Sequence, residues 1–433
     1  MRRVGENLTA VLAGTAQTHD CEGCGTHFSA PFRIFLSRVF VVFVLVTLVL
    51  TAAGYPGTGN REVRGLWVVR DDIVSPERVK AVVEFADSLR FNVLFVQVRG
   101  RGDAYYRSGL VPGPEEYPDI PGRFDPLECV VRLAHGRGIE VHAWVNVNPV
   151  WSARTPPSNP GHVARAHPGW FMVSRIGLDM AACPVDSVVN QAIEGRYLSP
   201  GIGQVRKHLA QVVREIIRRY SVDGVHLDYA RYPGWDYDFR EDIRRDFAHR
   251  YGIDPRDAAG GKYAGADSDL TFLGKWVDYR ANMMSGLVGG IAREVRRFDR
   301  RIRVSAAVKP DPSRALIEFG QDWPGWLREG TVDFVVTMNY FSSKDAFVES
   351  LCASLGKADR RKVVAGVGMY LAAPSVAEEQ IARARETGLL GFSIFSYKAC
   401  IEQQSRIEAL RRGIGNSRAE FPPEFTPYMR KHK

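Results

Sequence analysis

Eight short apolar runs, each separated from the next by amphipathic sequence, constrain this chain more than any other feature. They fall at 65–69, 93–99, 140–147, 224–229, 302–309, 334–340, 363–370 and 391–397. Each has strand length and is rich in Val, Ile and aromatic residues. Their continuous apolar character predicts parallel strands buried on both faces. Helices are predicted between them. Ser75-Pro76 and Asp125-Pro126 read as an N-cap followed by a proline in the first turn. Val205, Leu209, Val212, Val213, Ile216, Ile217 and Tyr220 fall on one helical face. Repeated strand–helix units with right-handed crossovers predict an α/β fold, a (β/α)8 TIM barrel spanning residues 61–413. An open doubly wound sheet is the alternative. It would want a glycine-rich turn after its first strand, where this chain has Arg70-Asp71-Asp72.

The surrounding sequence bounds the partners. The chain has 433 residues, a formal net charge of +9 and 45% hydrophobic residues, an ordinary globular balance. The excess charge is spread along the chain with no nucleic-acid-binding motif, so no nucleic-acid partner is expected. Residues 39–53, VFVVFVLVTLVLTAA, carry no charge and follow Arg33 and Arg38. As a helix they would span about 22 Å, short of the roughly 30 Å hydrocarbon core. Two readings stay open: a cleaved signal peptide, or an uncleaved signal-anchor with its basic side in the cytoplasm. Both place the rest of the chain outside the cytoplasm and limit membrane contact to this segment. Residues 1–38 read as an extension. Cys21 and Cys24 with His27 form half of a zinc pattern without a second half. Cys129, Cys183, Cys352 and Cys400 are widely spaced, and their pairing is not fixed by sequence. Residues 414–433 read as an exposed tail. Oligomeric state is not encoded in any visible repeat.

Two connections, 149–199 and 231–270, are too long for simple crossovers. They carry Trp151, Trp170, Tyr197, Tyr232 and Trp235, which suits an ordered wall around a site. In a barrel the active site gathers at the C-terminal strand ends. Those ends supply Gln97, Arg99 and Asp103; Trp144, Asn146 and Asn148; His226, Asp228, Tyr229 and Arg231; Lys309 and Asp311; Asn339 and Tyr340; and Tyr370. Amides, acids and basic groups rimmed by Trp and Tyr suit a sugar, whose hydroxyls need hydrogen-bond partners and whose CH faces pack on aromatic rings. Asp228 stands out, because an acid ending a buried apolar strand must be solvated, paired or used. Its structural alternative is a partner for Arg231 or His226. Glycoside hydrolysis normally wants a second carboxyl group. Asp103, Asp311 and Asp322 are the candidates, and Asp103 reads equally well as a turn cap. Lys309 is either a substrate ligand or a surface lysine. Asp223 begins its strand and is expected to be structural. His142 and His226 are isolated, so neither a metal nor another cofactor is expected.

The stretches RGLWVVRDD, FNVLFVQVRGRGDAYY, FDPLECVVRLAHGRGIEVHAWVNVNPV, HPGWF, YLSPGIGQVRKHL, VDGVHLDYARYP and QDWPGWLREGTVDFVVTMNYF occur in this order. In them the chain resembles the family-10-like glycosyl hydrolases, the DUF187 group, over residues 61–397. The resemblance implies a TIM-barrel polysaccharide hydrolase of the bacterial envelope, with some members acting on peptidoglycan glycan strands. The implied functional positions are Gln97, Arg99, Asp103, Asn146, His226, Asp228, Asn339 and Tyr340. Many members carry a second acid where Tyr229 stands here, and proline where Thr337 stands. No lipid-attachment cysteine follows the apolar segment. Two readings of function follow. One is an exported glycoside hydrolase using carboxylate acid/base chemistry on a polysaccharide. The other is a glycan-binding wall protein that keeps the barrel without turnover.

Overall fold

A computed structural model describes residues 61–120, 122–183, 193–259, 267–356 and 358–422 of the chain. The predicted extension 1–38 and apolar segment 39–53 lie outside the described residues. No helix among the described residues is long and apolar enough to cross a membrane.

All eight predicted strands form, as β1 (Val63–Val68), β2 (Val93–Arg99), β3 (Glu140–Asn146), β6 (Gly224–Asp228), β7 (Arg303–Val308), β8 (Phe334–Thr337), β9 (Val363–Gly368) and β10 (Gly391–Phe395). They close a parallel barrel in the order β1-β10-β9-β8-β7-β6-β3-β2. Alternation along each strand sorts the side chains. Leu66, Val68, Leu94, Val96, Val225 and Leu227 pack outward against the helices. Trp67, Phe95, Trp144, Ala307, Phe334 and Val336 pack inside. The interior is filled rather than hollow. Trp67 is its hub: its ring stands edge-on to Trp144 and His226, each with centroids 4.7 Å away, and its Nε1 donates to Ser393 Oγ at 3.1 Å.

The helices start where the sequence placed them. Ser75 accepts from Arg78 N, and Asp125 from Glu128 N, at the N-caps of helices 76–88 and 126–135. Helix 203–219 buries Val205, Leu209, Val212, Val213, Ile216 and Ile217. Asp223 sits at the closed end, accepting from Val141 N at 2.8 Å and bonded to His135 at 2.8 Å.

The long connections are ordered in different ways. In the first, β4 (Pro149–Trp151) pairs antiparallel with β5 (Arg196–Tyr197), a ribbon that periodicity does not reveal. Asn148 and Leu198 tie its base, through Leu198 N to Asn148 O and Asn148 Nδ2 to Leu198 O, both at 2.8 Å. The second is largely helical, with helices 241–251 and 255–259 leading into the 32-residue helix 267–298. Phe239, Ile243, Phe247, Ile253 and Trp276 give it a small core of its own.

The tail expected to be exposed is exposed or half-buried from 415 to 421, and its described end is anchored to the barrel. Glu420 pairs with the backbone at Arg61 and Glu62, and Phe421 packs under the barrel beside Phe334, centroids 6.2 Å apart. The guanidinium of Arg303 lies 3.9 Å over the Phe421 ring. Phe421 is half-buried against the barrel floor, where its ring covers apolar surface. Residues 423–433 lie outside the described residues.

Candidate active site

The open end of the barrel holds a cavity of about 610 Å³. β6 brings Asp228 to its edge, in register with Asn146 of β3. Asp228 is 6% exposed. Its Oδ1 accepts from Tyr229 N at 2.6 Å and from Arg231 Nη1 at 3.2 Å. Burial raises the carboxyl above the ordinary aspartate range, and the Arg231 charge only partly opposes it. Arg231 keeps its proton: burial works against the charge, but Asp228 and the surrounding phenols more than offset it. The chain leaves β6 through Tyr229, whose φ of 53° lies in the left-handed region. That conformation is uncommon for a bulky residue and is held here by packing. The Arg231 guanidinium stacks 3.9 Å over the Tyr229 ring, and Tyr229 meets Tyr197 at 6.2 Å. Asp228 is therefore ion-paired, and the pair lines the cavity rather than lying sealed away from it.

Aromatic rings form the rest of the wall. Tyr340 lies 5.4 Å from Phe395 and 6.1 Å from Tyr370, centroid to centroid. Gly366 and Gly368 of β9 make room for it, since a Cβ at either would approach Tyr340 atoms to 3.1 and 3.0 Å. Trp151 is fixed by its Nε1 bond to Thr155 O at 2.7 Å. Trp67 and Trp144 form the floor with Asn146, whose Oδ1 accepts from Trp144 Nε1 at 2.8 Å. Asn146 also donates to Gly100 O at 3.0 Å, which ties the loop after β2 to this wall.

The cavity gathers Gln97, Trp144, Asn146, Trp151 and Asp228 with Tyr229, Arg231, Lys309, Tyr340 and Tyr370. The other predicted positions lie elsewhere, Asn148 among them at the base of the β4–β5 ribbon. Arg99 is buried behind the site, where a shift of register between Gln97 and Arg99 redirects it onto Asn146 O. Burial lowers Arg99 to about 10. His226 lies one layer beneath Asp228, bonded to Ser305 Oγ at 2.7 Å, and burial holds it neutral. Asn339 is bonded to Ser350 and Thr337 in the core. Trp170 stacks on His167, ring centroids 3.8 Å apart.

The candidate second carboxyls also have other work. Asp103 caps its own turn, accepting from Arg101 N at 2.8 Å and Gly100 N at 3.3 Å. Asp311 caps helix 312–319, accepting from Ser313 N and Arg314 N. Asp322 caps helix 323–328. In their place the structure brings Glu194 to the cavity, its Oε2 accepting from Tyr197 Oη at 2.8 Å. No sequence motif marks Glu194. Its position three residues before Tyr197, in the aromatic-rich connection, is the available signal. Trp67, Arg70, Arg101 and Phe395 also line the cavity and were missed. Among the described residues, no group of three or more His, Cys, Asp and Glu side chains is arranged to hold a metal ion.

Comparison with known proteins agrees with this architecture. The glycosyl hydrolase DigH of Escherichia coli K12 is 26% identical over 333 residues, 67% of this chain and 66% of DigH. The glycosyl hydrolase YngK of Bacillus subtilis is 25% identical over 214 residues, 45% of this chain and 38% of YngK. The chain therefore spans less than two thirds of either relative. In fold it is similar to the PgaB (BpsB) glycoside hydrolase domain from Bordetella bronchiseptica, with a TM-score of 0.61 at 17% identity over 82% of this chain and 99% of that domain. A β-galactosidase from Rahnella sp. R3 superposes with a TM-score of 0.56 at 13% identity, covering 82% of this chain and 56% of that one. The pattern of the glycosyl hydrolase-like 10 family matches residues 62–384, and the chain belongs to that family.

Proposed function

We propose that this protein hydrolyses glycosidic bonds in a bacterial polysaccharide outside the cytoplasm, with the amino-sugar strands of peptidoglycan as the substrate. The observation that carries the reading is Asp228: a carboxyl raised by burial, at the lip of an aromatic-walled cavity. A carboxyl that burial makes hold its proton to higher pH than a free aspartate is better suited to protonate a departing glycosidic oxygen. Glu194 takes the part of the second carboxyl, activating water or attacking the anomeric carbon. Tyr340, Tyr370 and Trp151 offer faces to pyranose rings, and Gln97 and Asn146 offer amide groups to hydroxyl or acetamido groups. The apolar run at 39–53 supports export.

A second reading is a glycan-binding protein without turnover. The pairing of Asp228 Oδ1 with both Arg231 and Tyr229 N favours it, because these contacts stabilise the charged rather than the proton-donating form. The test is reducing-end release from purified peptidoglycan glycan strands, run beside a binding isotherm on the same strands. Release supports hydrolysis. Binding without release overturns it in favour of the second reading.

A further inference from the structure

The charges that line the cavity are unbalanced. Arg70, Arg101, Arg231, Lys309 and Lys398 face three carboxyls, those of Asp71, Glu194 and Asp228. Several of these cations are occupied. Arg231 is held by Asp228, Arg101 by Glu116, and Arg70 Nε lies 3.9 Å from Asp71. Lys309 and Lys398 are not ion-paired among the described residues, and of the two Lys309 is the one set against the chain that leaves Asp228. Its Nζ lies 4.9 Å from the centroid of the Phe319 ring.

Its mounting is rigid. Lys309 N donates to Gln321 Oε1 at 3.0 Å, and its carbonyl accepts from Trp323 Nε1 at 3.1 Å. Gln321 is fully buried and donates in turn to Ala230 O and Ala307 O, each at 3.2 Å. Those bonds lock the end of β7 to the chain that leaves Asp228. An ammonium in a half-buried cavity, within the field of Glu194 and Asp228 but in ion-pair contact with neither, has lost part of its hydration, and a neutral sugar does not restore what water gave it. A carboxylate does, through a charge-assisted hydrogen bond, and the excess positive charge draws such a ligand in.

We infer that Lys309 reads a carboxylate on the sugar seated beside Asp228, so that the cavity selects an acidic glycan over its neutral counterpart. This rests on the proposal that the cavity holds a glycan, and not on its cleaving one. Two kinds of sugar supply the group: one bearing a carboxylate on an ether side arm, and one bearing it on the ring.

The experiment is calorimetric titration of the full chain. The probes are peptide-free peptidoglycan glycan strands, with their lactyl ether carboxylates, and a polyuronate, with ring carboxylates. Each is also used after reduction of its carboxyls to alcohols. One acidic form is expected to bind about tenfold more tightly than its reduced form, and which one does so names the source of the group. Lys309→Met should bring that ratio close to one, and Lys309→Arg should keep most of it. Equal affinity for acidic and reduced forms of both polymers overturns the inference, as does a ratio that Lys309→Met leaves unchanged. A clear acidic preference without release of reducing ends leaves the inference standing and removes the hydrolase reading. Release with no preference does the reverse.

Discussion

Replacing Arg231 with methionine isolates what sets the protonation of Asp228. The pair is separated by 3.2 Å, and both side chains are under 10% exposed. At an effective dielectric constant of ~20, that separation corresponds to about 5 kcal/mol of attraction. Water entering the vacated space returns part of it, so the Asp228 pKa should rise by about one to three units on loss of the cation. If Asp228 must carry its proton to act, the basic limb of the kcat/KM profile moves up in pH by that amount. Turnover at the optimum falls as well, because Tyr229 loses the guanidinium stacked on it.

Stability gives an independent sign. The Asp228 carboxyl is raised above the ordinary aspartate value, so the folded protein holds a proton that the unfolded chain has released. Its contribution is therefore most favourable below the unfolded pKa and is lost as pH rises to the folded pKa. In Arg231→Met that decline extends to higher pH. The unpaired carboxylate then costs about 3–5 kcal/mol at alkaline pH, and much less where it is protonated. Denaturant titrations across pH and a pH–rate profile on one glycan check both. A basic limb that stays in place, with a stability difference independent of pH, refutes the reasoning.

Three further outcomes follow from the same structure. Glu194→Gln should lower turnover by about a hundredfold or more while leaving the urea midpoint almost unchanged, because the side chain is exposed to the cavity. Asp238 is fully buried, accepts from Val173 N at 3.0 Å and Arg240 N at 3.3 Å, and is raised by burial to about 7. The native protein should lose stability as pH rises from about 4 towards 7, and Asp238→Asn, which keeps both acceptor bonds, should flatten that slope in denaturant titrations. Phe421→Ala should cost about 2 kcal/mol by opening the barrel floor, read as a fall of several degrees in Tm with turnover retained.

The barrel was legible because its strands are written as unbroken apolar runs. The run at 93–99 matches β2 from end to end. Strand ends were harder. The predicted strand to Tyr340 stops at Thr337: Met338 N still donates to Val308 O at 3.0 Å, but Asn339 N turns back onto Thr337 O at 3.0 Å while its side chain stays buried, and apolar character does not distinguish the two. The site was legible in part for related reasons. Period two correctly sends Gln97, Trp144, Asn146 and Asp228 to the mouth. It fails at Arg99, where the irregular register with β3 breaks the alternation. His226 obeys the alternation but lies a layer too deep, and depth within a barrel depends on strand stagger rather than on any single strand. Glu194 was missed because its place is set by non-local contacts: Trp151 opposite Arg196, and Leu198 bonded to Asn148. Nothing in its own neighbourhood announces them. Asp103, Asp311 and Asp322 misled because acids after strands serve as turn and helix caps at least as often as they serve chemistry.

The measurement that bears most directly on the account is turnover of Asp228→Asn on peptidoglycan glycan strands, followed as reducing ends, with binding of the same strands measured in parallel. The substitution keeps the shape of the side chain and its bond from Tyr229 N while removing the transferable proton. The account predicts a loss of about three decades or more in turnover with binding retained. Turnover equal to that of the native chain would contradict it.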